Sequence, residues 1–107
     1  MGITSDPKDP RLSYGIDREP TDQVGTYLVL SDEERAQGFV RPVRRSYIHD
    51  GCGTVTTMGL AIAETYARDP HFYGATYCCG CRMHLPVGPD GEFSWIEDDK
   101  PTTKVGT

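Results

Sequence analysis

Two short segments of the chain place cysteine and histidine at spacings that suit a metal ion. His49 and Cys52 are separated by two residues, and a glycine follows Cys52. Cys78 and Cys81 have the same spacing, with a glycine between them. Glycine allows the tight turn in which two side chains converge on one ion. Each segment therefore has the pattern of a zinc knuckle, and two knuckles together supply four ligands.

The donor types of these four residues indicate which metal they would take. Thiolates with one imidazole favour zinc over calcium and magnesium, which prefer oxygen ligands. Four protein ligands complete a tetrahedral site and leave no position for a catalytic water. We therefore expect one structural Zn²⁺ bound by His49, Cys52, Cys78 and Cys81, and no enzymatic activity.

Two further residues compete for places in the ligand set. Cys79 lies beside Cys78, but only Cys78 and Cys81 keep the knuckle spacing. His84 is the alternative to His49, which we favour because it completes a knuckle with the first cysteine. Buried free thiols are a second interpretation of the cysteines, and a thioredoxin-like redox pair is a third. The redox interpretation requires a helix that starts at the motif, and the residues after the cysteines have no helical pattern.

A zinc deaminase is the enzyme class closest to this donor set. Its pattern needs a glutamate two residues after the histidine and a proline before the C-x-x-C pair. This chain has Gly51 and Tyr77 at those places. Glu64 is the acidic residue on a predicted helix nearest to such a role, and we interpret it as part of a solvated helical face. These departures argue against the deaminase class.

Hydrophobic patterning predicts several short strands around the two knuckles. Pro42 places the second of these strands at a sheet edge or a bulge. Residues 89–91 form a turn signal between the last two strands and predict a hairpin there. The predicted strands are residues 26–30, 39–48, 74–77, 83–87 and 92–96.

Two helices are predicted from capping and periodicity. Ser31 and Glu34 have the spacing of a capping box, and Gly38 ends a helix of barely two turns. Met58, Ile62 and Tyr66 recur at every fourth position, which is typical of a buried helical stripe. This longer helix is predicted to run from Thr57 to Asp69, before Pro70. Strands with few helices in this order predict an α+β fold.

Three regions are expected along the chain. Residues 1–25 contain three prolines and isolated apolar residues, and we expect an extended arm that orders only on a partner or another copy. Residues 26–97 form the predicted core, and residues 98–107 form a predicted polar tail. A length of 107 residues provides one domain. The first ten residues have no apolar stretch of signal-peptide type, so we expect a reducing compartment.

Charge and hydropathy narrow the expected partners. The formal net charge of −5 argues against general phosphate binding. One local basic cluster, Arg41, Arg44 and Arg45, makes a nucleic-acid-binding or transcription-directed regulator the alternative function. No apolar run approaches the length of a membrane span, so we expect no membrane partner.

The order of knuckle, inserted helix, knuckle and hairpin over residues 45–97 resembles a zinc ribbon. The segment from VRPVRRSYIHDGCG to GPDGEFSW is also similar to small uncharacterised proteins of tailed bacteriophages and prophages. In that group a histidine and a cysteine precede the helix, matching His49 and Cys52 here. The resemblance implies a viral origin, a zinc site and a place in the virion or the host cytoplasm. The expected function is a structural or interaction protein, virion-associated, that docks onto a protein partner.

Overall fold

Eight short strands and two helices make up the fold of the described part of the chain. The computed structural model describes residues 2–12, 16–21 and 25–107. The predicted α+β class is confirmed, with strands in the majority. In chain order the elements are β1 (Gly2–Thr4), β2 (Thr26–Leu28), α1 (Asp32–Arg35), β3 (Ser46–His49), β4 (Val55–Thr57), α2 (Leu60–Arg68), β5 (Ala75–Cys78), β6 (Met83–Pro86), β7 (Phe93–Glu97) and β8 (Lys100–Lys104).

Three separate sheets hold these strands. The largest has the order β4-β3-β7-β8 with antiparallel neighbours, and β3 pairs with β7 so that His49 lies opposite Phe93. Strands β5 and β6 form a second antiparallel sheet of their own. Strands β1 and β2 form a parallel pair. The two knuckles therefore belong to different sheets, because one begins at the end of β3 and the other at the end of β5.

Helix α2 covers the core on the side of the predicted apolar stripe. Met58, Ile62 and Tyr66 are all buried as predicted, but only Ile62 and Tyr66 lie within α2, because Met58 precedes its first residue. The ring of Tyr66 meets that of Trp95 edge to face, with 5.5 Å between centroids. The helix starts at Leu60 rather than at Thr57, because residues 55–57 pair with β3 instead.

The short helix α1 follows its sequence signal closely. The Ser31 hydroxyl accepts a hydrogen bond from the Glu34 amide at 3.2 Å, as the capping pattern predicts. Asp32 and Glu64 both bind Arg35, which links this helix to α2. Among the described residues, no helix is long and apolar enough to cross a lipid bilayer.

Strand pairing differs from the predicted hairpin. Strand β6 pairs with β5, and β7 pairs with β3 and β8, so the turn at residues 89–91 connects two different sheets. The second knuckle is itself the hairpin loop between β5 and β6, since it lies between Cys78 and Met83. Residues 39–45 lie outside the strands, and only the end of that predicted extended segment enters β3.

Both ends of the chain contribute more to the fold than their composition indicates. Strand β1 pairs with β2, and the Asp17 amide donates to the His84 carbonyl at 2.9 Å, so described parts of the predicted arm contact the predicted core. The predicted polar tail contains β8. Val105, which follows β8, has no exposed surface and donates its amide to the Phe93 carbonyl. Residues 98–107 are therefore part of the fold, because β8 completes an edge of the main sheet.

Truncation of Val105 tests this role of the C-terminal segment. We expect Val105→Ala to lower the free energy of unfolding by about 2 kcal/mol, because it removes buried methyl groups and leaves a cavity. The matched control is Val55→Ala, at a position that is 49% exposed, where we expect a change within about 0.5 kcal/mol. Urea unfolding at equal metal content measures both. Equal effects of the two variants would contradict the burial of the C-terminal segment.

Candidate metal centre

The structure brings the four predicted ligands into one cluster. The ligand atoms of His49, Cys52, Cys78 and Cys81 all lie within 4.8 Å of one another. The Nδ1 atom of His49 is 3.1 Å from the Cys52 sulfur and 3.5 Å from the Cys81 sulfur. The sulfurs of Cys52 and Cys78 are 3.5 Å apart. Sulfurs on a tetrahedral ion with bonds of about 2.3 Å would be about 3.8 Å apart, so this cluster can hold a metal ion.

The first knuckle is a tight turn that leaves the end of β3. The Gly53 amide donates to the His49 carbonyl at 2.8 Å, which closes the turn over Cys52. Gly53 has a φ of 74°, a left-handed conformation that glycine adopts without strain. This local geometry explains why the sequence signal of the knuckle includes that glycine.

The second knuckle leaves the end of β5 and packs against the first. The Cys81 amide donates to the Cys78 sulfur at 3.4 Å, the backbone contact typical of a metal knuckle. Gly80 lies directly over Thr54 of the first knuckle. A Cβ atom at Gly80 would lie 2.3 Å from the Thr54 hydroxyl oxygen, which is too close for any side chain. The absence of a side chain at Gly80 therefore allows the two knuckles to meet.

Glu92 orients the histidine, and sequence reasoning did not identify it. Its Oε1 atom lies 2.8 Å from Nε2 of His49, so Nδ1 is left to face the sulfurs. A carboxylate on the second ring nitrogen fixes the tautomer and raises the basicity of a histidine ligand. Glu92 comes 43 residues after His49 and reaches it only because β3 pairs with β7. No local spacing in the sequence could have indicated this contact.

Interactions within the cluster shift the pKa values of Cys52 and Cys81 in opposite directions. Hydrogen bonds to Thr54 lower the pKa of Cys52 to about 6, against the effect of burial. Burial and the neighbouring cysteines raise the pKa of Cys81 to about 11. Burial lowers the pKa of His49, but hydrogen bonds with Glu92 and Cys52 raise it by more. The pKa of His49 therefore lies above its usual value. An incoming metal ion would therefore displace protons, and its affinity would fall as the pH falls.

The competing ligand candidates lie outside this cluster. Cys79 is exposed and its sulfur accepts from the Thr56 hydroxyl at 3.3 Å. His84 is held by Asp17 and Tyr27 in another part of the molecule. Among the described residues, the four chosen from knuckle spacing form the cluster, and their role as metal ligands stays a prediction.

The three arginines of the alternative function are bound to their own chain. Arg44 is largely buried, with its guanidinium carbon 4.9 Å from the centroid of the Trp95 ring. Arg45 donates to the Met58 carbonyl at 3.0 Å. Arg41 is exposed and donates to the Val40 carbonyl at 3.1 Å. All three arginines precede Ser46, the first residue of β3, so the basic strand expected from the sequence is not formed.

Comparison of this chain with protein families, curated proteins and solved structures finds no match.

Removal of the Glu92 carboxylate tests its role at the metal centre. We expect Glu92→Ala to weaken metal binding by about 10- to 100-fold, because His49 loses the partner that orients it. Glu92→Gln keeps an acceptor without the charge and should have a smaller effect. The matched control is Asp90→Ala, an exposed carboxylate in the same turn region. Competition with a chromophoric chelator measures each affinity. Equal affinities for the Ala variants at positions 92 and 90 would contradict the assignment.

Proposed function

We propose that this chain binds one structural Zn²⁺ through His49, Cys52, Cys78 and Cys81. The observation that supports the proposal is the convergence of one imidazole nitrogen and three sulfurs within 4.8 Å. Three sulfurs and one nitrogen are a donor set that favours zinc. The carboxylate of Glu92 on the far side of the imidazole adds the outer contact that zinc-bound histidines usually have.

Zinc in this position would join two sheets that share no strand. His49 ends a strand of the four-stranded sheet, and Cys78 ends a strand of the β5–β6 sheet. An ion bound to both would hold the sheets together at the point where the knuckles meet. Small domains bury little apolar surface and depend on such cross-links. Structural zinc contributes on the order of 10 kcal/mol in small zinc domains at neutral pH. With four protein ligands, its function would be structural rather than catalytic.

Removing either the metal or one ligand tests the structural role. We expect Cys81→Ser to lose the metal, and the matched control Cys79→Ser to keep one zinc per chain. Native mass spectrometry and elemental analysis measure the content. Removal of zinc by a strong chelator at pH 7 should greatly reduce the helical circular dichroism signal, because α2 lies between the two knuckles. An unchanged signal after verified removal, or a metal-free native protein, would contradict the proposal.

For the biological role, we propose an interaction protein of a tailed phage that is associated with the virion and docks onto a protein partner. The resemblance of the segment from VRPVRRSYIHDGCG to GPDGEFSW to small uncharacterised proteins of tailed bacteriophages supports the origin. Exposed apolar side chains support docking: Phe39, Val40 and Val43 are 43%, 59% and 38% exposed within one loop. Apolar side chains grouped on a surface are typical of protein interaction sites. Nucleic-acid binding is the less favoured role, since Arg44 and Arg45 are engaged with their own chain.

Virion analysis and nucleic-acid titration separate the two roles. We expect native mass spectrometry of virions to find this chain in stable complex with a virion protein, and Phe39→Asp to weaken that complex. Val55→Asp, at another exposed valine, is the matched control. Fluorescence anisotropy with DNA and RNA should show no binding at physiological salt. Salt-dependent binding that Arg41→Ala weakens would support the regulator instead.

A further inference from the structure

A lysine on the C-terminal strand reaches the turn that follows His49. Ser94 on β7 is paired with Ile48 of β3 on one side and with Lys104 of β8 on the other. The Lys104 ammonium group reaches across this middle strand and forms an ion pair with the Asp50 carboxylate in the first knuckle. The Ser94 hydroxyl donates to the same carboxylate at 3.1 Å. One network of side chains therefore links three neighbouring strands at the knuckle.

The same ammonium group also holds the segment that carries Glu92. It donates to the Gly91 carbonyl at 3.0 Å. The Asp50 amide in turn donates to the Glu92 carbonyl at 2.8 Å. Lys104 is therefore bound to the residue after His49 and to the residue before Glu92, and a backbone hydrogen bond joins these two segments directly.

The two segments carry the two partners of one hydrogen bond at the metal centre. Nε2 of His49 and Oε1 of Glu92 are 2.8 Å apart, and this contact leaves Nδ1 facing the sulfurs. A hydrogen bond weakens steeply when its distance and angle depart from the optimum. A side chain that fixes the spacing of the two segments therefore also fixes the orientation of the imidazole.

We propose that Lys104 is a positioning residue of the metal centre, and that metal binding and the pairing of β8 with the sheet stabilise each other through it. This role rests on the proposed zinc site, because it concerns the same four ligands. Lys104 acts on them through Asp50 and Gly91. Coupling between two sites is reciprocal, so a metal ion that holds His49 in place also holds β8 in the sheet.

The zinc affinity of the full chain tests the role of Lys104. Lys104→Met keeps most of the aliphatic stem and removes the charge, and we expect it to weaken zinc binding by about 2- to 5-fold, the range for a partly exposed ion pair. Lys104→Arg keeps the charge and should recover part of this loss. Lys100→Met, at an exposed lysine of the same strand, should bind zinc as the wild type does. Competition with a chromophoric chelator measures these affinities, and equal values for the two Met variants would overturn the proposal.

Two NMR measurements separate positioning from a general loss of stability. The Nε2 proton of His49 should exchange with solvent faster in Lys104→Met than in Lys100→Met, because its hydrogen bond to Glu92 is held less firmly. Equal exchange in the two variants would overturn the positioning role.

Amide hydrogen exchange at Val105, just after β8, tests the coupling. Zinc should slow this exchange in the wild type and slow it less in Lys104→Met, and equal protection would overturn the coupling. A wild-type chain that takes up no zinc would contradict the metal centre instead. The Nε2 proton of the metal-free chain then decides the role of Lys104, because the contact between His49 and Glu92 is formed without an ion.

Discussion

The contact between the two knuckles is the constraint on which the rest of the structure depends. Thr54 and Gly80 touch so closely that no side chain fits at position 80, and the four side chains of the cluster that could hold a metal ion converge beside them. Through this contact the four-stranded sheet meets the β5–β6 sheet, although the two share no strand. The hydroxyl of Tyr47 adds a second link by donating to the Tyr77 carbonyl at 2.5 Å. Polar contacts thus join the two sheets, which share no strand pairing.

The four residues of the cluster were predictable from the sequence because each knuckle is a local structure. Two residues with metal-binding side chains and a nearby glycine fix the geometry within a single turn. The spacing of Cys78 and Cys81 is therefore enough to predict the second knuckle. The capping of α1 by Ser31 was predictable for the same reason. Glu92 was not, because it reaches His49 only through the pairing of β3 with β7. A contact that depends on strand pairing joins residues far apart in the chain, so no short sequence motif predicts it.

The C-terminal strand shows a different reason for an incorrect expectation. Four of the five residues of β8 are exposed, so its sequence has no apolar alternation. Its place in the sheet comes from pairing with β7 and from Val105, a single buried residue just beyond it. The predicted hairpin between residues 83–87 and 92–96 was wrong because a turn signal predicts a reversal of the chain without fixing which strands pair. Here the second knuckle provides the reversal that joins β5 to β6.

The loop between the knuckles has a consequence for the kinetics of folding. Residues 53–77, which include α2, separate Cys52 from Cys78, and closing a flexible loop of this length costs about 3 kcal/mol in chain entropy. In the zinc-bound chain that we propose, one knuckle can capture the ion before this loop closes, since each needs only a local turn. The ion would then be bound by two ligands only, until diffusion of the chain brings the second knuckle to it. Refolding would therefore speed up with free zinc until capture is saturated, and loop closure would then set its upper limit.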